Sequence, residues 1–367
     1  MRDLPLPENA AEIPSPALLI DLGAVDRNLE LMLTIAGRPE RLRPHMKTHK
    51  LPQLIRRQLA LGITKFKCST IAEAEMVAAC GAPDVMLAGQ PVGPNVGRFI
   101  ALVRKFPDTR FSAMADDEGA IRELSRDALA AGVTLDIFLD LDVGQHRTGI
   151  APGPHAAELY RLIHLLPGLN AAGLHGYDGH IQEPDLAART AACEAAFAPA
   201  EALREELEHS GLPVPRFVAG GSPTFPIHAR RNVECSPGTT VLWDAGYGRK
   251  MRDLAFEPAA LLITRVVSKP AANRLCLDLG HKAVAAEMPH PRVIFPVLPD
   301  ATAVVHSEEH LVIETPRAPE FAVGDALLGI PWHVCPTVAL HSEVWALENG
   351  KATERWPVVA RARRITI

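Results

Sequence analysis

The feature that most constrains this chain is a long alternation of strand-length apolar runs with stretches of helical periodicity, which stops near residue 246. Residues 17–21, 42–44, 65–68, 85–88, 110–114, 135–141, 172–176, 217–219 and 240–242 read as buried strands. Between them, residues 25–36 carry apolar side chains at Val25, Leu29, Met32 and Ile35, one face of a helix. Further helices are expected over 71–80, 96–105, 118–131, 156–165 and 186–210. This makes about eight β/α units, the count of a closed parallel barrel. The alternation alone also fits an open, doubly wound sheet.

Beyond residue 246 the texture changes. Short β-type runs at 261–267, 274–279, 304–306, 311–314, 326–330 and 358–367 are separated by Pro and Gly turns. The expected organisation is α/β, a (β/α)8 TIM-type barrel over residues 17–246 followed by a β domain over residues 247–367, with 1–16 joining the second.

With 47% hydrophobic and 22% charged residues, the 367-residue chain has the composition of a folded globular protein. A net charge of -5, with Lys and Arg dispersed, offers no footprint for nucleic acid or an acidic membrane surface. No run is long enough to span a bilayer. The six cysteines show no C-x-x-C pairing, which points to reduced thiols and a cytoplasmic setting.

Five segments carry candidate chemistry. The first is Arg43-Pro44-His45-Met46-Lys47-Thr48-His49-Lys50, where a strand hands over to a helix. A lysine amine must be neutral to act on an aldehyde, and a desolvated, cation-rich setting favours that form. The second, Asp140 to Gly149, ends the most hydrophobic strand and contains G-x-x-R-x-G with Arg147. As a bare pattern it is also ordinary turn chemistry. The third, His175-Gly176-Tyr177-Asp178-Gly179-His180, crowds polar and aromatic groups at a strand terminus, the catalytic rim of a barrel. The fourth, Gly220-Gly221-Ser222-Pro223-Thr224, offers backbone N–H groups and hydroxyls to an anion, although most Gly-Gly pairs are plain turns. In the β domain, His333-Val334-Cys335 would aim an imidazole and a thiol at one point if extended. That donor pair suits Zn²⁺ well and Mn²⁺ or Mg²⁺ less well. Without a family, H-x-C is nearly uninformative and a buried structural pair is the favoured explanation.

Taken with Thr64 to Thr70 and Glu73 to Glu75, these segments resemble the pyridoxal-phosphate (PLP) enzymes of the D-threonine aldolase and D-serine dehydratase family, which share an alanine-racemase-type barrel. The resemblance covers the chain from Pro16 to its end. It implies that Lys47 condenses with the PLP aldehyde, that Arg147 hydrogen-bonds the phenolic oxygen, and that Tyr177 packs near the ring. It implies a phosphate loop at Gly220, Gly221, Ser222 and Thr224 with Tyr247 as a further ligand, and a divalent metal (Mn, Zn or Mg) at His333 and Cys335. His180 becomes an acid/base candidate. Ser236 stands where alanine racemase has an arginine facing the pyridine nitrogen, so racemisation does not carry over. The expected activity is a PLP- and metal-dependent lyase on D-3-hydroxy amino acids, with the aldolase preferred over a dehydratase, and a homodimer as the assembly. A racemase and a non-catalytic PLP-binding protein are the rivals; the roughly 120 residues after Gly246 count against the latter.

Overall fold

The computed structural model describes residues 4–367. Its first strand, β1 (Ala17–Asp21), departs from the expected barrel: it lies antiparallel to β9 (Ala260–Ala271) and parallel to β15 (Glu343–Glu348), with Leu19 opposite both Leu261 and Trp345. Leu18, Leu19 and Ile20 are fully buried, as the centre of a mixed sheet requires.

The barrel strands are β2 (Lys65–Cys68), β3 (Asp84–Leu87), β4 (Arg110–Ala115), β5 (Leu135–Leu141), β6 (Leu169–Gly176), β7 (Phe217–Ala219) and β8 (Glu234–Cys235), seven parallel neighbours in chain order. The ring is closed by the segment before Lys47. Arg43 N donates to Cys235 O at 2.8 Å and His45 N to Pro237 O at 2.8 Å on one side, while Met46 N donates to Lys67 O at 2.8 Å on the other. Residues 240–242 do not form the expected last strand; Thr239–Val241 is a 3₁₀ turn, and the two-residue β8 precedes it because Pro237, which has no N–H, ends the ladder.

Met86, Met114, Phe138, Ala172 and Val218 fill the barrel with an apolar layer. Its N-terminal end is plugged by charge. Arg43 bonds Asp84 at 2.6 Å and Glu234 at 2.7 Å, Lys65 bonds Glu234 at 2.6 Å, and Arg216 bonds Asp84 at 3.1 Å and Asp136 at 3.3 Å. The C-terminal strand ends are left for chemistry.

The second sheet continues with β10 (Arg274–Leu277), β11 (Val293–Ile294), β12 (Thr302–His306), β13 (Leu311–Glu314), β14 (Ala326–Pro331) and β16 (Lys351–Pro357), in the order β12-β13-β10-β9-β1-β15-β16, with β14 also on β9. Ile13, Leu19, Leu261, Ile263, Leu328 and Ile330 form its core. The chain divides into two compact units. One comprises Met32–Lys47, Pro52–Gly238 and Ala362–Ile367; the other comprises Thr48–Leu51, Thr239–Arg361 and the residues up to Leu31. The division thus falls at Thr239 rather than residue 247, and β1 sides with the sheet that pairs it. Residues 362–367, expected as strand, instead bind the barrel unit, where Thr366 N donates to Glu75 at 3.1 Å and Arg98 to the Ile367 carbonyl at 2.8 Å.

Candidate active site

A cavity of about 430 Å³ opens at the C-terminal ends of the barrel strands, lined by His45 and Lys47 from the closing segment, Lys67 and Ser69 from the end of β2, and Asp140, Arg147, His175 and Tyr177 from the ends of β5 and β6. The turn holding Lys47 is set by His45. Its Nδ1 accepts from Lys47 N at 3.3 Å, and its Nε2 lies 3.2 Å from Ser69 Oγ. Three cations surround Tyr177: Lys47 Nζ is 5.8 Å, Lys67 Nζ 5.6 Å and Arg147 Cζ 5.1 Å from the ring centroid.

Arg147 rides on a tightly closed loop. Asp142 accepts from Gly144 N at 2.9 Å and His146 N at 3.0 Å, and Asp116 accepts from Gly149 N at 2.7 Å. Burial pushes the Asp142 carboxyl up, yet these donors hold it below the ordinary range. Gly149 sits at φ +93°, and a Cβ there would meet Asp142 N at 2.6 Å. Only glycine fits.

The Gly-Gly loop is braced from behind. Gly221 N donates to Thr224 Oγ1 at 3.3 Å, Thr224 donates to Asp178 Oδ1 at 2.8 Å, and Asp178 Oδ2 bonds His228 Nε2 at 2.8 Å. The Thr224 hydroxyl is therefore used inside the loop. Gly238 N donates to Ser222 Oγ at 3.2 Å. A Cβ on Gly220 would strike His228 Cδ2 at 2.4 Å. Asp178, Cys193 and His228 cluster closely enough to bracket a metal: His228 Nε2 lies 2.8 Å from Asp178 Oδ2 and 3.4 Å from Cys193 Sγ, while His228 Nδ1 is buried with no hydrogen-bond partner among the described residues. Burial pushes the Cys193 thiol up to about 12.

In the sheet unit, His333 is the residue before the helix Val334–Leu340, so the extended geometry expected of His333-Val334-Cys335 gives way to a strand-to-helix corner, with Pro336 in the first turn. The pair still converges. Burial alone would lower His333, but Cys335 and then Glu287 outweigh it and raise His333 to about 9. His333 Nδ1 bonds Glu287, and Cys335 Sγ lies 3.2 Å from Thr48 Oγ1 and 3.8 Å from Thr239 Oγ1. Asp244 anchors the corner, accepting from Val334 N at 3.1 Å and Tyr247 N at 2.9 Å. Tyr247 stacks on Trp243 with centroids 5.3 Å apart.

The structure thus gathers Lys47, Arg147 and Tyr177 in one cavity. His180 does not line it: the ring is exposed, beside Gly144, where a Cβ would lie 3.0 Å from His180 Nε2. Sequence reasoning missed Lys67, which is 2% exposed and 3.3 Å from His175 Nε2, itself 2.7 Å through Nδ1 from Asp140. Burial first, then Lys47, lower Lys67 to about 7, against the opposing pull of Asp140 and Asp178. The available signal was a lysine inside an otherwise apolar barrel strand.

The alanine racemase N-terminal domain matches residues 20–243, and a putative serine dehydratase domain matches residues 259–347. The chain is 31% identical to a D-threonine aldolase of Arthrobacter sp, covering 96% of this chain and 93% of that one. It is 30% identical to a 3-hydroxy-D-aspartate aldolase of Paracoccus denitrificans, with the same coverage. The crystal structure of D-threonine aldolase from Filomicrobium marinum superimposes with a TM-score of 0.89 at 29% identity, covering 98% of both chains. The chain belongs to the D-threonine aldolase family of lyases, built on the alanine-racemase fold.

Proposed function

We propose that this protein is a PLP- and divalent-metal-dependent lyase that cleaves D-3-hydroxy amino acids to glycine and an aldehyde. The observation that carries the reading is the meeting of Lys47, Arg147 and Tyr177 in one cavity. The residues fit PLP: an amine for the aldehyde, a guanidinium for the phenolic oxygen, an aromatic face, and a glycine loop in which a Cβ on Gly221 would lie 3.0 Å from Tyr177. Lys47 would carry the cofactor, Arg147 would hold the ring oxygen ionised, and Gly220, Gly221, Ser222 and Tyr247 would receive the phosphate. Bound PLP supplies an electron sink that stabilises negative charge at the substrate Cα.

Imidazole plus thiol is a donor set for Zn²⁺, with Mn²⁺ or Mg²⁺ as harder alternatives. His333 and Cys335 would hold the ion, which supplies a Lewis acid for the substrate β-hydroxyl. Glu287 orients the imidazole, and Thr48 and Thr239 steady the thiolate. The free thiols of all six cysteines fit a cytoplasmic setting, and a homodimer is the expected assembly.

The test is to load the purified protein with PLP and Mn²⁺ or Zn²⁺, supply D-threonine, D-3-hydroxyaspartate and D-serine, and assay aldehyde, glycine, keto acid and ammonia together. Glycine with equimolar aldehyde establishes the aldolase. Keto acid with ammonia assigns a dehydratase instead, and appearance of the enantiomer alone assigns a racemase.

A further inference from the structure

Behind the Gly-Gly loop, three donors from three separate elements converge on one point. Asp178 follows β6, Cys193 lies in the helix Leu186–His209, and His228 ends the short helix Phe225–His228. Each is at most 1% exposed. Asp178 Oδ2 is 2.8 Å from His228 Nε2, His228 Nε2 is 3.4 Å from Cys193 Sγ, and Cys193 Sγ is 3.8 Å from Asp178 Oδ2. A triangle with those sides has a centre about 2.0 Å from every corner, which is the length of a bond from Zn²⁺ to nitrogen or oxygen and a little short of one to sulfur.

Hydrogen bonding alone serves this arrangement poorly. Nε2 holds one proton or none. With it, the ring donates to Asp178 and has no lone pair for the thiol; without it, a lone pair confronts the carboxylate at 2.8 Å. In either form Nδ1 is buried with no partner among the described residues, so the polar contacts of the imidazole all fall on the other nitrogen. Burial first, then the charge of Asp178, push the Cys193 thiol up to about 12, so a thiolate forms there only with a cation. A dication resolves the conflict. Carboxylate, thiolate and neutral imidazole around Zn²⁺ carry no net charge, the state that a buried site tolerates, and all three are ligands of that ion.

We propose that Asp178, Cys193 and His228 form a structural zinc site that clamps the loop 220–224 from behind, separate from the ion assigned to His333 and Cys335. The inference does not depend on the lyase reading. On binding, the thiol proton goes to solvent, the Nε2 proton moves to Nδ1, and the freed electron pairs bond to the metal; nothing is oxidised or reduced. A water molecule completes the tetrahedron. Asp178 Oδ1 keeps its 2.8 Å bond from Thr224, so a single carboxylate joins the ion to the loop. Enclosure distinguishes this site from the other. His333 and Cys335 are partly exposed, so an ion there exchanges with solvent, whereas an ion among three buried side chains leaves only when the protein opens.

The test grows wild-type protein and the double variant His333→Ala/Cys335→Ala in zinc-containing medium, dialyses both against EDTA, and counts zinc by elemental analysis before and after unfolding in the chelator. One zinc per chain should stay with both folded proteins and be lost on unfolding. Adding Cys193→Ala to the double variant should abolish it. The double variant refolded with Co²⁺ should show a thiolate-to-cobalt charge-transfer band in the near ultraviolet, and the protein with Cys193→Ala should lack it. The double variant should also melt several degrees higher when refolded with Zn²⁺ than with EDTA, while the variant with Cys193→Ala melts at one temperature in both. A double variant with no zinc above the buffer blank, or zinc that Cys193→Ala leaves in place and is therefore adventitious, overturns the proposal. If the protein with Cys193→Ala does not fold, absence of the cobalt band in the double variant overturns it.

Discussion

The Thr224 hydroxyl donates to Asp178 at 2.8 Å, and the other oxygen of that carboxylate is held by His228 at the same distance, so one fully buried side chain fixes the loop beginning at Gly220. Burial pushes Asp178 up, but His228 and Thr224 hold it below the ordinary carboxylate range. Asp178→Ala leaves two buried partners unsatisfied and should cost about 3–5 kcal/mol, with PLP affinity at least tenfold weaker. Thermal melting and cofactor titration check this; an unchanged melting temperature would remove the brace from the account.

The loop carrying Arg147 depends on Gly149. A side chain there meets backbone at 2.6 Å in a left-handed conformation, whereas Gly132, also at positive φ, has nothing within 4 Å of its Cβ position. Gly132→Ala should cost about 1–2 kcal/mol from conformation alone, and Gly149→Ala distinctly more, with a changed cofactor absorbance. Equal costs measured by denaturant unfolding would contradict the close approach.

At the corner of the sheet unit, His333→Ala and Cys335→Ala should each abolish stoichiometric metal uptake while leaving the metal-free melting temperature within a few degrees of wild type. Thr48→Val should weaken metal affinity about 10–100-fold, through its 3.2 Å contact with Cys335. Exchangeable metal after dialysis is the measurement, and its full occupancy in Cys335→Ala would move that metal elsewhere.

The ion network at the closed end of the barrel sets an acid limit. Burial pushes Asp84 and Glu234 up, yet Arg43 and its neighbours hold both below their ordinary values. A carboxyl lowered in the folded state stabilises the fold above its unfolded pKa, and that stability is lost as pH falls through the lower folded value. The loss should begin only as pH falls below the ordinary carboxylate range of about 4. Arg43→Leu should destabilise by about 3–5 kcal/mol at neutral pH and flatten the pH dependence in that window. Chemical unfolding at pH 7 and at pH 4 tests both.

Much of the barrel was legible because turn residues bracket its runs: 65–68, 135–141 and 217–219 coincide with β2, β5 and β7. β1 was legible as a strand but not as a member of the other sheet, since Leu18-Leu19-Ile20 is equally apolar in a parallel barrel or at the centre of a mixed sheet. Lys47, Arg147 and Tyr177, which line one cavity, each lie in a distinctive motif. Lys67 and His175 lie on strands instead, and only the barrel's closure brings β2 and β6 to face one space. His180 falls past the end of β6, where alternation no longer sets direction.

The seam formed by residues 42–46 has a consequence for the order of events in synthesis. The turn that presents Lys47 takes its backbone partners from Lys67 on one side and from Cys235 and Pro237 on the other. Closing so distant a contact costs loop entropy that local helices and neighbouring strands do not face, which makes it a late step in folding. A ribosome-bound chain shorter than Pro237 cannot complete the seam, so the amine of Lys47 reaches its final setting only after nearly two-thirds of the protein has been made. On the function proposed above, free PLP, an indiscriminate aldehyde, would then meet a finished pocket rather than a growing chain.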